Sequence, residues 1–273
     1  MRQKIGLALA GGGARGAFQL PILEALDSEG ILDRVDVISG TSIGSLHAVM
    51  VASRRIDHIR HVWETIDASA FQFTAKELFE RAKLLDFHVI EEGLMTVDVL
   101  EKVLDDSLPL IALGDRDIFI TTTCMGDEKA TLAQAIAFNL KSLIKGELPV
   151  NYVNLKDAET SDIKQALLAS TAIPIIFKPV HYQTKTWVDG GMYGNLPLKP
   201  LIDAGCTHII AIDLYRFSFN RKPHKGDSSI VYFHPKRSLG GILDFKEEKQ
   251  ILRLEHGRKI AQEIIPHVRE MLS

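Results

Sequence analysis

The sequence predicts an α/β fold built on a largely parallel sheet. Two observations carry this. The apolar run Ile5 to Ala10 stops at Gly11-Gly12-Gly13-Ala14-Arg15-Gly16 and gives way to a helical pattern. The short β-branched run Val35 to Ile38 stops at Gly40-Thr41-Ser42-Ile43-Gly44 and does the same. Two strand–turn–helix units within about fifty residues favour strands that run side by side with helices between them.

The elements follow in order. Gln3 to Ala10 reads as a buried strand ended by glycines. Ala14 to Glu29 reads as a helix with Phe18, Ile22, Leu23 and Leu26 on one side and Gly30 at its C-cap. Pro21 lies inside that span, so a kink or a broken hydrogen bond is expected near Ala17. Val35 to Ile38 is the second strand, and Ser45 to Ser53 continues as a helix of small and apolar residues. Helical patches follow at Ile56 to Ile66, Ala75 to Leu85 and Val97 to Leu104, the last starting after Thr96 with acidic residues in its first turn. Phe71, Phe73, Phe79 and Phe87 cluster here, as packing residues or as a lipid-facing lid.

Asp117 to Met125 is rich in β-branched residues and reads as a strand, with Gly126-Asp127 a candidate hairpin turn into Lys129 to Gln134. Asp162 to Ser170 reads as a helix that Ile173-Pro174 ends. Ile175 to Val180, Thr184 to Val188 and Thr207 to Leu214 read as strands, the second leading into Asp189-Gly190-Gly191. Tyr215 to Gly226 is polar and basic and reads as an exposed loop. The segment 244–272 is a long amphipathic helical region.

Composition narrows the function. At 273 residues the chain buries a full core, and a net charge of −3 gives no general reason to expect nucleic acid as a partner. Cys124 and Cys206, the two cysteines, read as reduced core thiols, without metal-ligand spacing. The apolar run after Arg2 and Lys4 is shorter than the roughly 7–15 residues of a signal h-region. No stretch approaches the roughly 18–20 apolar residues of a membrane span. The expected location is cytoplasmic, at most peripheral to a membrane.

Gly40 to Gly44 has the G-x-S-x-G pattern of a nucleophile elbow, a strained strand-to-helix turn that lifts a serine hydroxyl out of the fold. The bland alternative is a tight turn with a structural serine. Gly11 to Gly16 places backbone N–H groups at a helix start, where negative charge is stabilised. It also fits G-x-G-x-x-G, and Asp36 lies about twenty residues on, the spacing of a dinucleotide site. Against that reading, Asp36 falls at the start of the second strand, whereas a ribose ligand belongs at its end. A serine needs a base. His47 lies five residues after Ser42 on one helix and points away from it, while His181, His208 and His234 sit in ordinary strand or loop contexts. A Ser–His–Asp triad stays open as an alternative. The best base is Asp189, which ends a strand before two glycines and needs a pKa raised by burial.

With GGGARG, GTSIG and DGG in this order, the chain resembles the patatin-like phospholipase family. The resemblance runs from Ile5 to Leu214, with further similarity at Gly93 to Leu104 and Leu243-Asp244-Phe245. It implies a three-layer α/β/α sandwich and hydrolysis of acyl esters in phospholipids and related lipids, with no metal or other cofactor. By resemblance, Ser42 is the nucleophile and Asp189 its base in a dyad without histidine. Gly11, Gly12 and Gly13 supply the oxyanion hole, and Arg15, Gly40, Gly44 and Gly190 support it. The expected organisation is one catalytic domain over 1–273, with a helical insertion or lid around 71–113 and the C-terminal helical region 244–272.

Overall fold

The computed structural model describes residues 3–66, 98–127, 150–173, 177, 179–182, 184–192, 194–217 and 228–273. Strands β1 (Ile5–Leu9), β2 (Val37–Thr41), β3 (Asp117–Asp127), β7 (His208–Ile212) and β8 (Ser229–Phe233) form the parallel part of an eight-stranded sheet. Strands β4 (Val150–Asn154) and β6 (Lys185–Asp189) pair antiparallel with β3, and β5 (Val180–Tyr182) pairs antiparallel with β6. Every residue of β1 and β2 is buried. Strands buried on both faces need helices on both sides, which gives the expected α/β/α layering.

The helices are α1 (Leu20–Ser28), α2 (Ile43–Ala52), α3 (Ile56–Thr65), α4 (Asp98–Ser107), α5 (Thr160–Thr171), α6 (Lys199–Asp203) and α7 (Glu247–Leu272). The expected kink at Pro21 does not form. Gly13–Phe18 is a 3-10 segment, and α1 begins only at Leu20, so Pro21 sits in its first turn. Proline fits there because that N–H has no intrahelical partner to lose. The expected turn at Gly126-Asp127 does not form, because both residues continue β3 and pair with Thr186 and Lys185 of β6; Lys129 to Gln134, the Phe71 to Phe87 cluster and the 75–85 helix lie outside the described residues. Strands β4 and β8 were not foreseen. Each is short and only partly buried; β4 is interrupted by Asn151, whereas β8 carries only the short apolar run Ile230 to Phe233.

One pairing decides the architecture of the site. A strand residue has two edges. Thr121 of β3 pairs with Thr41 of β2 and with Tyr152 of β4. Its neighbour Thr122 pairs with Asn151 of β4 and with Asp189 of β6. Strand β4 therefore takes one edge of β3, while β2 and β6 share the other. Because β2 is parallel to β3 and β6 is antiparallel, their C-terminal ends meet head to head. Ser42, the residue after Thr41, faces the end of β6 at Asp189.

The C-terminal helix closes the fold. Helix α7 packs on α1 and the 3-10 segment through Gly257, where a Cβ would overlap the Phe18 carbonyl oxygen and stand 2.5 Å from Pro21 Cγ. Gly257→Ala is expected to destabilise the protein by roughly 1–3 kcal/mol through overpacking, read as a lowered urea midpoint at unchanged slope.

Candidate active site

Ser42 stands between β2 and α2 with φ 54 and ψ −126. A serine held there costs on the order of 1–3 kcal/mol, which the surrounding packing must supply. The two flanking glycines make the turn sterically feasible. A Cβ on Gly40 would overlap the Gly44 carbonyl, and one on Gly44 would overlap the Leu9 carbonyl at the end of β1. Ser170 on α5 pins the elbow. Its Oγ donates to Thr121 O at 2.8 Å and accepts the Ser42 N–H at 2.9 Å. With that single proton committed, the 2.7 Å contact to Ser45 makes Ser45 the donor.

The Ser42 side chain stands close enough to the Asp189 carboxylate to favour its ionised form. Asp189 is 5% exposed, and its Oδ1 accepts the Gly191 N–H at 2.6 Å. Burial pushes its pKa up to about 6, and the Ser42 side chain and the Gly191 N–H oppose that rise. Gly190 has no room for a side chain, since a Cβ would lie 2.6 Å from Thr121 Cγ2.

The glycine loop stands on the other side of Ser42. A Cβ on Gly11 would come within 3.0 Å of Ser42 Cβ. The N–H of Gly11 is already committed to Asn195 O at 3.0 Å, and Asn195 Nδ2 donates to Gly11 O at 3.1 Å. The N–H groups of Gly12 and Gly13 make no hydrogen bond to a described residue. The segment that follows Asp189 is stitched to β2 as well. Thr41 Oγ1 donates to Gly194 O at 2.9 Å, and Ser39 Oγ donates to Pro197 O at 2.7 Å.

His47 is no base for Ser42. Its Nε2 accepts the Trp63 indole N–H at 3.1 Å, so its proton is on Nδ1 and is donated to Gln19 Oε1 at 2.7 Å. Gln19 passes the chain on to Ala10 O at 2.9 Å, one residue before the glycine loop. Burial depresses the His47 pKa to about 3 and keeps the ring neutral. His181 and His208 are bonded to Thr186 and Thr207. Asp36 does not reach the glycine loop. Its Oδ2 accepts the Ile5 N–H at 2.9 Å, at the opposite end of β1 from Gly11. Among the described residues no cluster of three or more His, Cys, Asp or Glu could hold a metal ion, and no helix is long and apolar enough to cross a membrane.

Three contributors were not read from the sequence: Ser170, Asn195 and Arg253. Arg253 on α7 is 2% exposed. It donates to Leu239 O at 2.8 Å, Asp244 O at 2.6 Å and Gly241 O at 3.2 Å. That clamp shapes the loop 239–245, which in turn holds the glycine loop. Ile242 O accepts the Ala14 N–H at 2.7 Å, and Gly240 O accepts Arg15 Nε at 2.8 Å. The Arg15 guanidinium also lies 4.7 Å from the Tyr215 ring centroid. A sequence signal for Arg253 existed. It falls on the buried stripe of α7 with Gln250, Gly257, Ile260 and Ala261. A cation at such a position needs polar partners.

These features define the class: a parallel-sheet α/β protein with a nucleophile elbow facing a buried carboxylate. Within it, the chain belongs to the patatin-like phospholipase family, whose model matches residues 7–202. It is 27% identical over 210 residues to the neuropathy target esterase sws of Drosophila melanogaster, covering 77% of this chain and 13% of that protein. It is 25% identical over 219 residues to lysophospholipase NTE1 of Scheffersomyces stipitis, covering 78% of this chain and 12% of that one. The chain thus spans only a small part of the length of these relatives. Among solved structures, VipD from Legionella pneumophila superposes with a TM-score of 0.50 at 13% identity, over 98% of this chain and 67% of that one. At that identity the likeness concerns the fold.

Arg253→Met would leave one buried and two part-buried carbonyls without their donor. It is expected to cost on the order of 3 kcal/mol in chemical denaturation, whereas loss of an exposed helix arginine such as Arg258 should cost well under 1 kcal/mol.

Proposed function

We propose that the protein is a serine acyl-ester hydrolase acting on phospholipids or related lipids through a Ser42–Asp189 dyad. The observation that carries this is the placement of the elbow serine beside a buried carboxylate whose pKa is pushed up to about 6. A carboxylate in that range is mostly ionised at neutral pH yet basic enough to accept a proton in the transition state. Family membership supports the lipid-ester class. An apolar cavity beside Ser42, lined by Ile43, Leu46, Ile173, Phe177, Leu243 and Phe245 among others, suits an acyl chain.

In this reading Ser42 Oγ attacks the ester carbonyl carbon while Asp189 takes the hydroxyl proton. The oxyanion is met by the N–H groups of Gly12 and Gly13. Gly11, whose N–H is committed to Asn195, serves instead to let the loop approach Ser42. Collapse of the intermediate expels the alcohol, which takes the proton from Asp189 and leaves an acyl-serine. Water then gives a proton to Asp189 and its oxygen to the acyl carbon. The second collapse releases the fatty acid and returns the proton to Ser42. Arg15, Gly40, Gly44 and Gly190 hold this geometry without touching the reacting atoms.

The whole of 1–273 acts as one catalytic unit in this proposal. The sheet joins Ser42 to Asp189, and α7 supports the loop against the glycines. The enzyme works in the cytoplasm and meets lipid at a membrane surface; Phe217, 81% exposed beside Arg216, supports that contact. No nucleic acid and no cofactor enter the reaction.

A fluorophosphonate is expected to add one covalent adduct at Ser42, seen by intact mass and lost in Ser42→Ala; an unlabelled wild-type protein would refute the nucleophile. The kcat/KM for a soluble ester should rise with pH to a plateau, with a midpoint near 6, because Asp189 must be ionised. The same shift has a stability consequence. The folded pKa exceeds the unfolded value near 3.8, so the associated stability is present below that pH and lost as pH rises through about 6. The full loss is about 3 kcal/mol. Asp189→Asn should therefore abolish turnover and stabilise the fold by about 1–3 kcal/mol at pH 8, with no gain at pH 4. A variant that keeps substantial activity would overturn the dyad.

A further inference from the structure

The space beside Ser42 continues inward. The first cavity, about 80 Å³ open to the centre of a water-sized sphere, runs from Ser42 and Gly13 to Val62 and Val103. A second, about 20 Å³, lies deeper, against Val49, Met50, His58, Leu104 and Leu167. The two share Ile43, Leu46, Val62 and Val103. Ile43, Leu46 and Met50 follow one another at helical spacing along α2, so they form one continuous stripe leading away from the nucleophile.

The far wall is chemically closed. Ser107 Oγ donates to Val103 O at 2.5 Å, so its 2.8 Å contact with His58 makes Nε2 of that histidine the donor. The pair satisfies itself and is ringed by aliphatic side chains. Such a wall suits the methyl end of a chain and offers nothing to a polar head group. Its position, reached only past Leu46, Val62 and Val103, makes those three side chains a neck.

We propose that the inner chamber is the terminal part of the acyl subsite, and that Leu46, Val62 and Val103 set the length of the chain accepted. This rests on the acyl-hydrolase reading above. The ligand is a single, unbranched acyl chain whose ester carbon lies at Ser42 and whose methyl end lies against Met50 and His58. Ser42 and Met50 are eight residues apart along α2, about 12 Å of helix, a span that suits an acyl chain of medium length, about eight carbons.

The test uses p-nitrophenyl butyrate, octanoate, laurate and palmitate with the full chain. Wild-type kcat/KM should peak at octanoate, by roughly tenfold or more over butyrate and palmitate, since one or two methylenes in such a pocket are worth about that much. Leu46→Phe, which fills the neck, should lower the octanoate-to-butyrate ratio at least about tenfold. Met50→Ala, which enlarges only the inner chamber, should raise the laurate-to-octanoate ratio by a similar factor. General damage would scale all esters together and could not move the two ratios in opposite senses. If Leu46→Phe does not fold, the Met50→Ala arm decides alone. Unmoved ratios in an enzyme that hydrolyses esters and is labelled at Ser42 would overturn the chamber assignment and leave the hydrolase reading standing. No hydrolysis of any ester and no adduct would overturn both.

Discussion

The shared edge of β3 is the constraint on which the rest of the molecule depends. Strand β2 ends at Thr41 and β6 ends at Asp189, and both are paired to consecutive threonines of one strand. A parallel strand and an antiparallel one can meet C-terminus to C-terminus only in this way. The backbone ladder thereby brings together two residues 147 positions apart (189 minus 42) without any flexible arm. Ladder hydrogen bonds are stiff. A carboxylate and a hydroxyl placed by them lose little entropy on meeting.

Around that junction the protein spends stability on placement. Ser42 sits at a positive φ, and Asp189 is buried as a carboxylate. Neither would persist in a loose surround. The counterweights are visible as short polar ties: Ser170 to the Ser42 N–H, Gly191 to Asp189, and Asn195 gripping Gly11 by two bonds. A fourth tie comes from farther away. Arg253 gathers three carbonyls of the loop 239–245, whose own carbonyls brace Ala14 and Arg15. That support lies beyond residue 202, where the match to the family model stops. The glycine loop is thus held from outside the matched residues 7–202.

The same helices that hold the elbow also shape the apolar space next to it. The first turns of α2 carry Ile43 and Leu46 into both cavities, and Trp63 on α3 stacks on Phe245 with ring centroids 6.2 Å apart. Trp63 also donates to His47, which ties through Gln19 to the strand end before the glycines. The apolar wall and the glycine-loop side of the site are therefore parts of one packed unit. His47 belongs to that scaffold, with both ring nitrogens engaged.

By itself the sequence determined what depends on neighbours along the chain. The two strand–turn–helix units, the elbow at Ser42 and the turn at Asp189 were legible because glycine spacing and apolar runs act over a few residues. Even there, short-range reasoning ran Ala14 to Glu29 together as one helix, because a 3-10 segment and an α-helix share much the same residue preferences. The tertiary structure decided everything that rests on long-range pairing. It set β6 against β3 on the edge away from its hairpin partner β5, and it committed the Gly11 N–H to Asn195 while leaving those of Gly12 and Gly13 unbonded to described residues. It also brought Arg253 under the glycine loop. Partners separated by more than a hundred residues leave no periodicity to read; only the sheet register and the packing of α7 specify them.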